Sequence, residues 1–176
     1  MSKYLNESAV DLIITFRFIK LLVTPWKKTD AFDEGVVDAN GKLLVKYKNQ
    51  SSAQKKTYTP FHRLVFNIKR LMEKVPFGKT RIASYAAALY LIKEEHGMAE
   101  EDILTVLEDL GHDTSIDLDE EIKNIYEGQH ILNHDISDYI KGSIIHLDSI
   151  EPVNYFAGIP IYKTRENIFI SAENIL

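Results

Sequence analysis

Three short clusters in this chain carry the residue types of known chemistry, and each lacks a part that the chemistry requires. Gly78-Lys79-Thr80 has the ending of a phosphate-cradling loop. Such a loop needs a glycine five residues earlier and a strand before it. Here Glu73 stands at the glycine position and a basic helical segment precedes it, so too few backbone amides converge on a triphosphate. The segment suits a turn and helix start, where a lone phosphate or carboxylate is still accommodated. His130 and His134 stand four apart with Asp135 and Asp138 nearby. On a helix that spacing brings two imidazoles to one zinc ion, but the glutamate that follows the first histidine in helical metalloproteases is missing. Asp113, Ser115, Asp117 and Asp119 alternate like calcium ligands. Leu118 replaces the glycine of the sharp turn, and Asn124 the bidentate glutamate. No G-x-S-x-G elbow occurs, and the absence of cysteine removes thiolate nucleophiles, thiolate zinc sites and disulfides. The sequence assigns no catalytic residue, no metal ligand and no cofactor, and the expectation is a protein that is not an enzyme.

What the residues do show is charge sorted by position. Between Arg17 and Arg81 fifteen Lys and Arg face five acids, whereas between Glu94 and Asp138 fifteen Asp and Glu face Lys123 alone. The two stretches carry roughly +10 and −14 behind a formal total of −5, an asymmetry that points to a charged partner. Candidate residues for binding a partner or nucleic acid are Lys46, Lys48, Lys55, Lys56, Arg63, Arg70, Lys74, Lys79 and Arg81. Tyr47, Tyr58 and Phe61 lie among them, which is the composition of a base-stacking, phosphate-contacting patch and equally that of aromatic core. Glu100, Glu101, Glu108 and Asp109 are the candidate acidic partner face.

Sorted charge has three physical outlets. The blocks fold onto each other within one subunit, or pair head to tail between copies or partners, or the basic block meets DNA while the acidic one stays solvated. Exposed ion pairs contribute only about 0–1 kcal/mol each, so large patches act on encounter and orientation more than on stability.

The elements that position these residues follow from periodicity and punctuation. With 45% apolar residues, 176 residues support a sizeable core. Ser8 is placed to cap a first helix running to about Val23, ended by Thr24-Pro25. Its apolar residues fall on nearly every side, which predicts packing on more than one face. The run Leu12 to Val23, interrupted by Arg17 and Lys20, is too short and too charged to span a bilayer. Asn40-Gly41 predicts a tight turn in a small β-hairpin, and Asn49 to Thr59 reads as an exposed basic loop.

Pro60 opens a second helix to about Lys74, with Arg63, Asn67, Arg70 and Lys74 as a cationic stripe opposite its apolar face. Helices over about 80–96 and 99–110 follow, each stopped by a glycine. Leu118 to Tyr126 reads as a short helix and His130 to Ile140 is ambiguous. Strands are expected over 143–147, 153–156, 159–163 and 168–171, with a turn at Thr164 to Asn167. The fold class is α+β: a helical part with one hairpin (about 35–48) over residues 1–112, then an acidic linker and a β-rich part over 113–176, or one continuous domain.

The stretches FRFIKLLVTPWKKTDAF, GVVDANGKLL, TPFHRLVFNIKRLMEKVPFGKTRIASYAAALYLIKEE and FAGIPIYKTRENIFIS resemble a family of small tailed-bacteriophage proteins associated with head or virion genes. The opening MSKYLNES looks like the leader of head-packaged proteins in T-even-type phages, in which Leu5-Asn6-Glu7 matches the hydrophobic-x-Glu tripeptide cut by a prohead protease. The resemblance carries no catalytic signature. It implies a non-enzymatic structural or head-assembly protein of the virion, present in the host cytoplasm during assembly. Its partners would be other virion or prohead proteins, further copies of itself and DNA, with no membrane. The alternative is a nucleic-acid-binding accessory protein using the basic region 42–81.

Overall fold

The computed structural model describes residues 2–74, 82–114 and 125–176, with residues 2–11 and 74 described by backbone alone. The fold is α+β, with helices in the N-terminal part and two small antiparallel sheets toward the C-terminus. Helix α1 spans Ser2–Val23 and therefore begins before Ser8, so Leu5 and Glu7 lie on helical backbone. It ends where expected, because Pro25 holds φ −56° and ψ 142° and the chain turns into a short 3-10 segment, Trp26–Lys28. The Thr29 hydroxyl accepts from the Phe32 amide and so caps α2, Asp30–Asp33.

The hairpin at Asn40-Gly41 is reduced to one bridge between Val37 and Leu43. Asp38 organises its turn, its carboxylate accepting from the Asn40 and Lys42 amides. Residues 49–59 are not a loop throughout. They contain α3, Ser52–Thr57, started by a reciprocal capping box in which Ser51 and Gln54 satisfy each other's amides.

Helix α4, Pro60–Lys74, is the centre of the molecule. Val65 and Ile68 face the main core, while Phe66 faces a second cluster with Trp26, Val36, Val37 and Tyr58. A 3-10 turn, Ile82–Tyr85, leads into α5, Ala86–His96. Gly97 stops it in the left-handed region at φ 72°, where a side chain is disfavoured. Helix α6 follows at Glu100–Asp109.

Strand β1, Gly128–Ile131, pairs antiparallel with β2, Ile144–Leu147. Strands β3, Asn154–Phe156, β4, Ile159–Lys163, and β5, Phe169–Ile170, make the second sheet in that order, with the expected turn from Thr164 to Asn167 between β4 and β5. Phe156, Ile159 and Ile161 enter the same core as Phe18, Leu89, Ile92, Ile103 and Leu107, so the second sheet packs with the helices.

The join between helices and sheets is also polar. The buried Ser171 hydroxyl donates to the Ala83 carbonyl at 2.5 Å, and the buried Asn174 amide donates to the Ser84 carbonyl at 2.7 Å. Buried polar groups are tolerable only when paired in this way. The expected helix over 118–126 lies almost wholly outside the described residues, as do Gly78-Lys79-Thr80, Arg81, Ser115, Asp117 and Asp119. Among the described residues no helix is long and apolar enough to cross a membrane.

Candidate functional site

The basic segment divides into an inner and an outer set. Lys69 is buried at 5% exposure; its ammonium donates to the Thr24 carbonyl and sits 4.2 Å from the centre of the Trp26 ring. Burial lowers its pKa, against the opposing pull of Glu73. Arg70 donates from Nε to the Gly41 carbonyl at 2.6 Å and from Nη1 to Asn67 Oδ1 at 2.9 Å, with its guanidinium 5.4 Å from the Trp26 ring centre. The Trp26 indole N–H donates to the Glu73 carboxylate at 2.8 Å. This knot ties the 24–43 segment to α4. The cationic stripe read from the sequence thus holds the fold together at Arg70, while Lys74 is placed by backbone at the end of α4.

The outer set is Lys46, Lys48, Lys55 and Lys56, all exposed. Two short elements present it: the 3-10 turn Tyr47–Asn49 and α3. Gln54 anchors α3 by donating to the Glu34 carbonyl at 3.0 Å, and buried Gln50 donates to the Val45 carbonyl at 2.9 Å. The lysines therefore project from fixed backbone. One of them, Lys55, has its Nζ 5.2 Å from the Tyr47 ring centre, and Arg63 Cζ stands 4.6 Å from the same ring. Tyr58 and Phe61 are buried at 4% and 3%, so their part in the aromatic pattern is core, leaving Tyr47 as the aromatic group of this patch.

On the acidic side, Glu100, Glu101 and Asp102 occupy the first turn of α6, where they complement the helix dipole. Glu100 is half-buried, pairing with Lys93 at 3.4 Å and accepting from the Ala157 amide at 3.2 Å. It holds the tight β3–β4 turn, where Ala157 has φ 48°. Glu101, Asp102, Glu108 and Asp109 are exposed. Lys93 pairs with Glu100, His146 with Glu166 and Arg165 with Asp148, and Lys46, Lys48, Lys55 and Lys56 form no ion pair with Glu101, Asp102, Glu108 or Asp109.

The histidines that could have met a metal are engaged separately. His130 is buried in β1 with Nε2 2.7 Å from the Tyr126 carbonyl, whereas His134 lies beyond the strand beside Asn133 and Asn174. Among the described residues no group of three or more His, Cys, Asp or Glu converges to hold a metal ion. A cleft of about 260 Å³ opens between α4, α5 and the 134–137 segment. Arg63, Asn67, Tyr85, His134 and Asp135 line it, and burial pushes the Tyr85 phenol up to about 12, so it stays a neutral donor.

Sequence reasoning missed the His146–Glu166 contact, which joins two segments twenty residues apart. Glu166 accepts from the His146 amide at 3.0 Å and meets its ring nitrogen at 2.6 Å, docking the β4–β5 turn onto β2. Burial raises the Glu166 pKa, but the hydrogen bonds from the His146 amide and ring, from its own backbone and from Thr164 together outweigh it and bring the group down to about 2. A depressed folded-state pKa stabilises above the ordinary carboxylate value and is lost as pH falls toward 2. Glu166→Gln should therefore cost about 1–2 kcal/mol at pH 7 and flatten the fall in stability between pH 4.5 and 2, read by urea melts across that range. Comparison with protein-family profiles, curated proteins and solved structures gave no match to this chain.

Proposed function

We propose that this protein is a non-enzymatic structural or head-assembly component of a tailed-bacteriophage particle, acting through charge-complementary contacts with other virion or prohead proteins. One observation carries the reading: the exposed Lys46, Lys48, Lys55 and Lys56 and the exposed Glu101, Asp102, Glu108 and Asp109 of α6 stand on separate elements, and among these described residues no ion pair joins the two sets. Of the three outlets for sorted charge, this favours contact between molecules over neutralisation within one. The resemblance to head-gene proteins supplies the setting, the virion and the host cytoplasm during assembly. Mass spectrometry of purified proheads and virions tests it: the chain is expected in particles at a fixed ratio to the major capsid protein, and its absence from both would reject the reading. The same spectra show whether the chain begins at Met1 or at Ser8, after Leu5-Asn6-Glu7.

The alternative, DNA contact through the basic 42–81 region, is favoured by Tyr47 among its cations. A single half-exposed ring gives little stacking area, which places an acidic protein surface ahead of nucleic acid. DNA affinity that falls steeply with salt would support the alternative, because phosphate contacts release counterions; a flat response would count against it.

A further inference from the structure

Helix α1 is apolar on nearly every side, and the fold covers one of those sides. Phe18 and Leu22 are buried in the main core, while Leu12, Ile13, Phe16 and Val23 are 68%, 60%, 65% and 54% exposed. At about 100° per residue, Leu12, Val23, Phe16, Lys20 and Ile13 fall in that order across the face opposite Phe18 and Leu22. Four large apolar side chains on one uncovered helix face mark a contact surface, whereas scattered single ones would not.

The charge around this face says what covers it. From Leu12 to Thr29 the chain holds Arg17, Lys20, Lys27 and Lys28 and no acid, and all four cations are exposed; Asp30 follows and lines a cleft with Arg17, Lys20 and Lys28, which leaves the cations in excess. Lys20 projects from within the stripe, between Phe16 and Ile13. A second copy packed α1 against α1 about a two-fold axis would bring these cations against their own kind. A bilayer surface prefers cations flanking the apolar face, and here one stands within it, between Phe16 and Ile13. The face matches a helix with an apolar stripe and a carboxylate set opposite Lys20.

We propose that the outer face of α1, Leu12, Ile13, Phe16 and Val23 around Lys20, is the docking site for an acidic amphipathic helix of a partner protein. This rests on the contact reading above but uses a different surface from the lysines around Tyr47, so the two fail separately. The probe is a pair of designed 21-residue amphipathic helical peptides with the same leucine stripe, one glutamate-rich and one lysine-rich, titrated by fluorescence anisotropy against the full chain. The acidic peptide should bind at least tenfold more tightly than the basic one. Phe16→Asp should abolish that binding without changing the thermal midpoint, since the side chain is already in water. Lys20→Glu should reverse the preference between the two peptides.

Three results would overturn the proposal. One is equal affinity of the wild type for both peptides, or for neither. Another is binding that survives Phe16→Asp. The third is tighter association with phosphatidylglycerol vesicles, or with itself in sedimentation, that Phe16→Asp removes. If the face fails while the lysine reversals described below still block particle entry, only this site is wrong.

Discussion

Gly41→Ala should destabilise the protein by about 3–5 kcal/mol, the largest effect expected of any single methyl group added to it. Gly41 has φ +78°, a conformation that costs a side chain about 1–2 kcal/mol. A Cβ there would stand 2.3 Å from Trp26 Cε2 and 2.4 Å from Cζ2, so the indole must move. That ring cannot move alone. Its N–H is bonded to Glu73, and the Lys69 and Arg70 cations lie over it. The Gly41 carbonyl also accepts from Arg70 at 2.6 Å. One added methyl thus strains the turn, displaces the aromatic centre of the second core and loosens the buried Lys69. Against a total stability of about 5–15 kcal/mol the variant should lose about 6–20 °C in thermal midpoint, measured by circular dichroism. A loss under 1 kcal/mol in urea melts would show that the knot does not hold the 24–43 segment to α4.

Reversing Lys46, Lys48, Lys55 and Lys56 together to glutamate should leave the fold intact and remove the protein from particles. All four side chains are exposed, and the capping box and glutamine anchors that fix their backbone are untouched. The structural cost is the Lys55–Tyr47 contact, about 0.5–1 kcal/mol, and a less favourable dipole at the end of α3. Incorporation into particles should fall at least tenfold, read by quantitative mass spectrometry after expression during infection. Reversing Arg70 would be a poor test, because its guanidinium is bonded inside the knot and a misfolded chain would also fail to assemble. Undiminished incorporation of the quadruple variant would remove the Tyr47 patch from the account.

Much of the fold was legible because punctuation and periodicity agreed. Pro25, Pro60, Gly97 and Gly111 bound helices where expected, and the Thr164–Asn167 turn sits between β4 and β5. Helix α3 was legible too: Ser51-x-x-Gln54 is a capping-box signal, overlooked because the segment lacks an apolar period.

The site was harder for a physical reason. A helical wheel identifies the polar side of α4 but not what packs beside it: Trp26 lies against Arg70 at the edge of that side and against Lys69, which falls between Val65 and Phe66 on the buried side. A long lysine stem over an indole is buried without any local sign in the sequence. Likewise the apolar run of α1 announced packing on more than one face, and nothing in its own residues says that the side bearing Leu12, Ile13, Phe16 and Val23 is left uncovered. Glu166 and His146 meet only because the β4–β5 turn of one sheet comes against strand β2 of the other, a contact with no short-range spacing to betray it.

The central claim is that basic and acidic surfaces here meet partners and not each other. Zero-length carbodiimide cross-linking of purified particles, which joins carboxylates to lysines in contact, tests it most directly. The account predicts links from Lys46, Lys48, Lys55 and Lys56 to acids of other molecules, and from Glu101, Asp102, Glu108 and Asp109 to lysines of other molecules. Links running only between these two sets within one chain would contradict it.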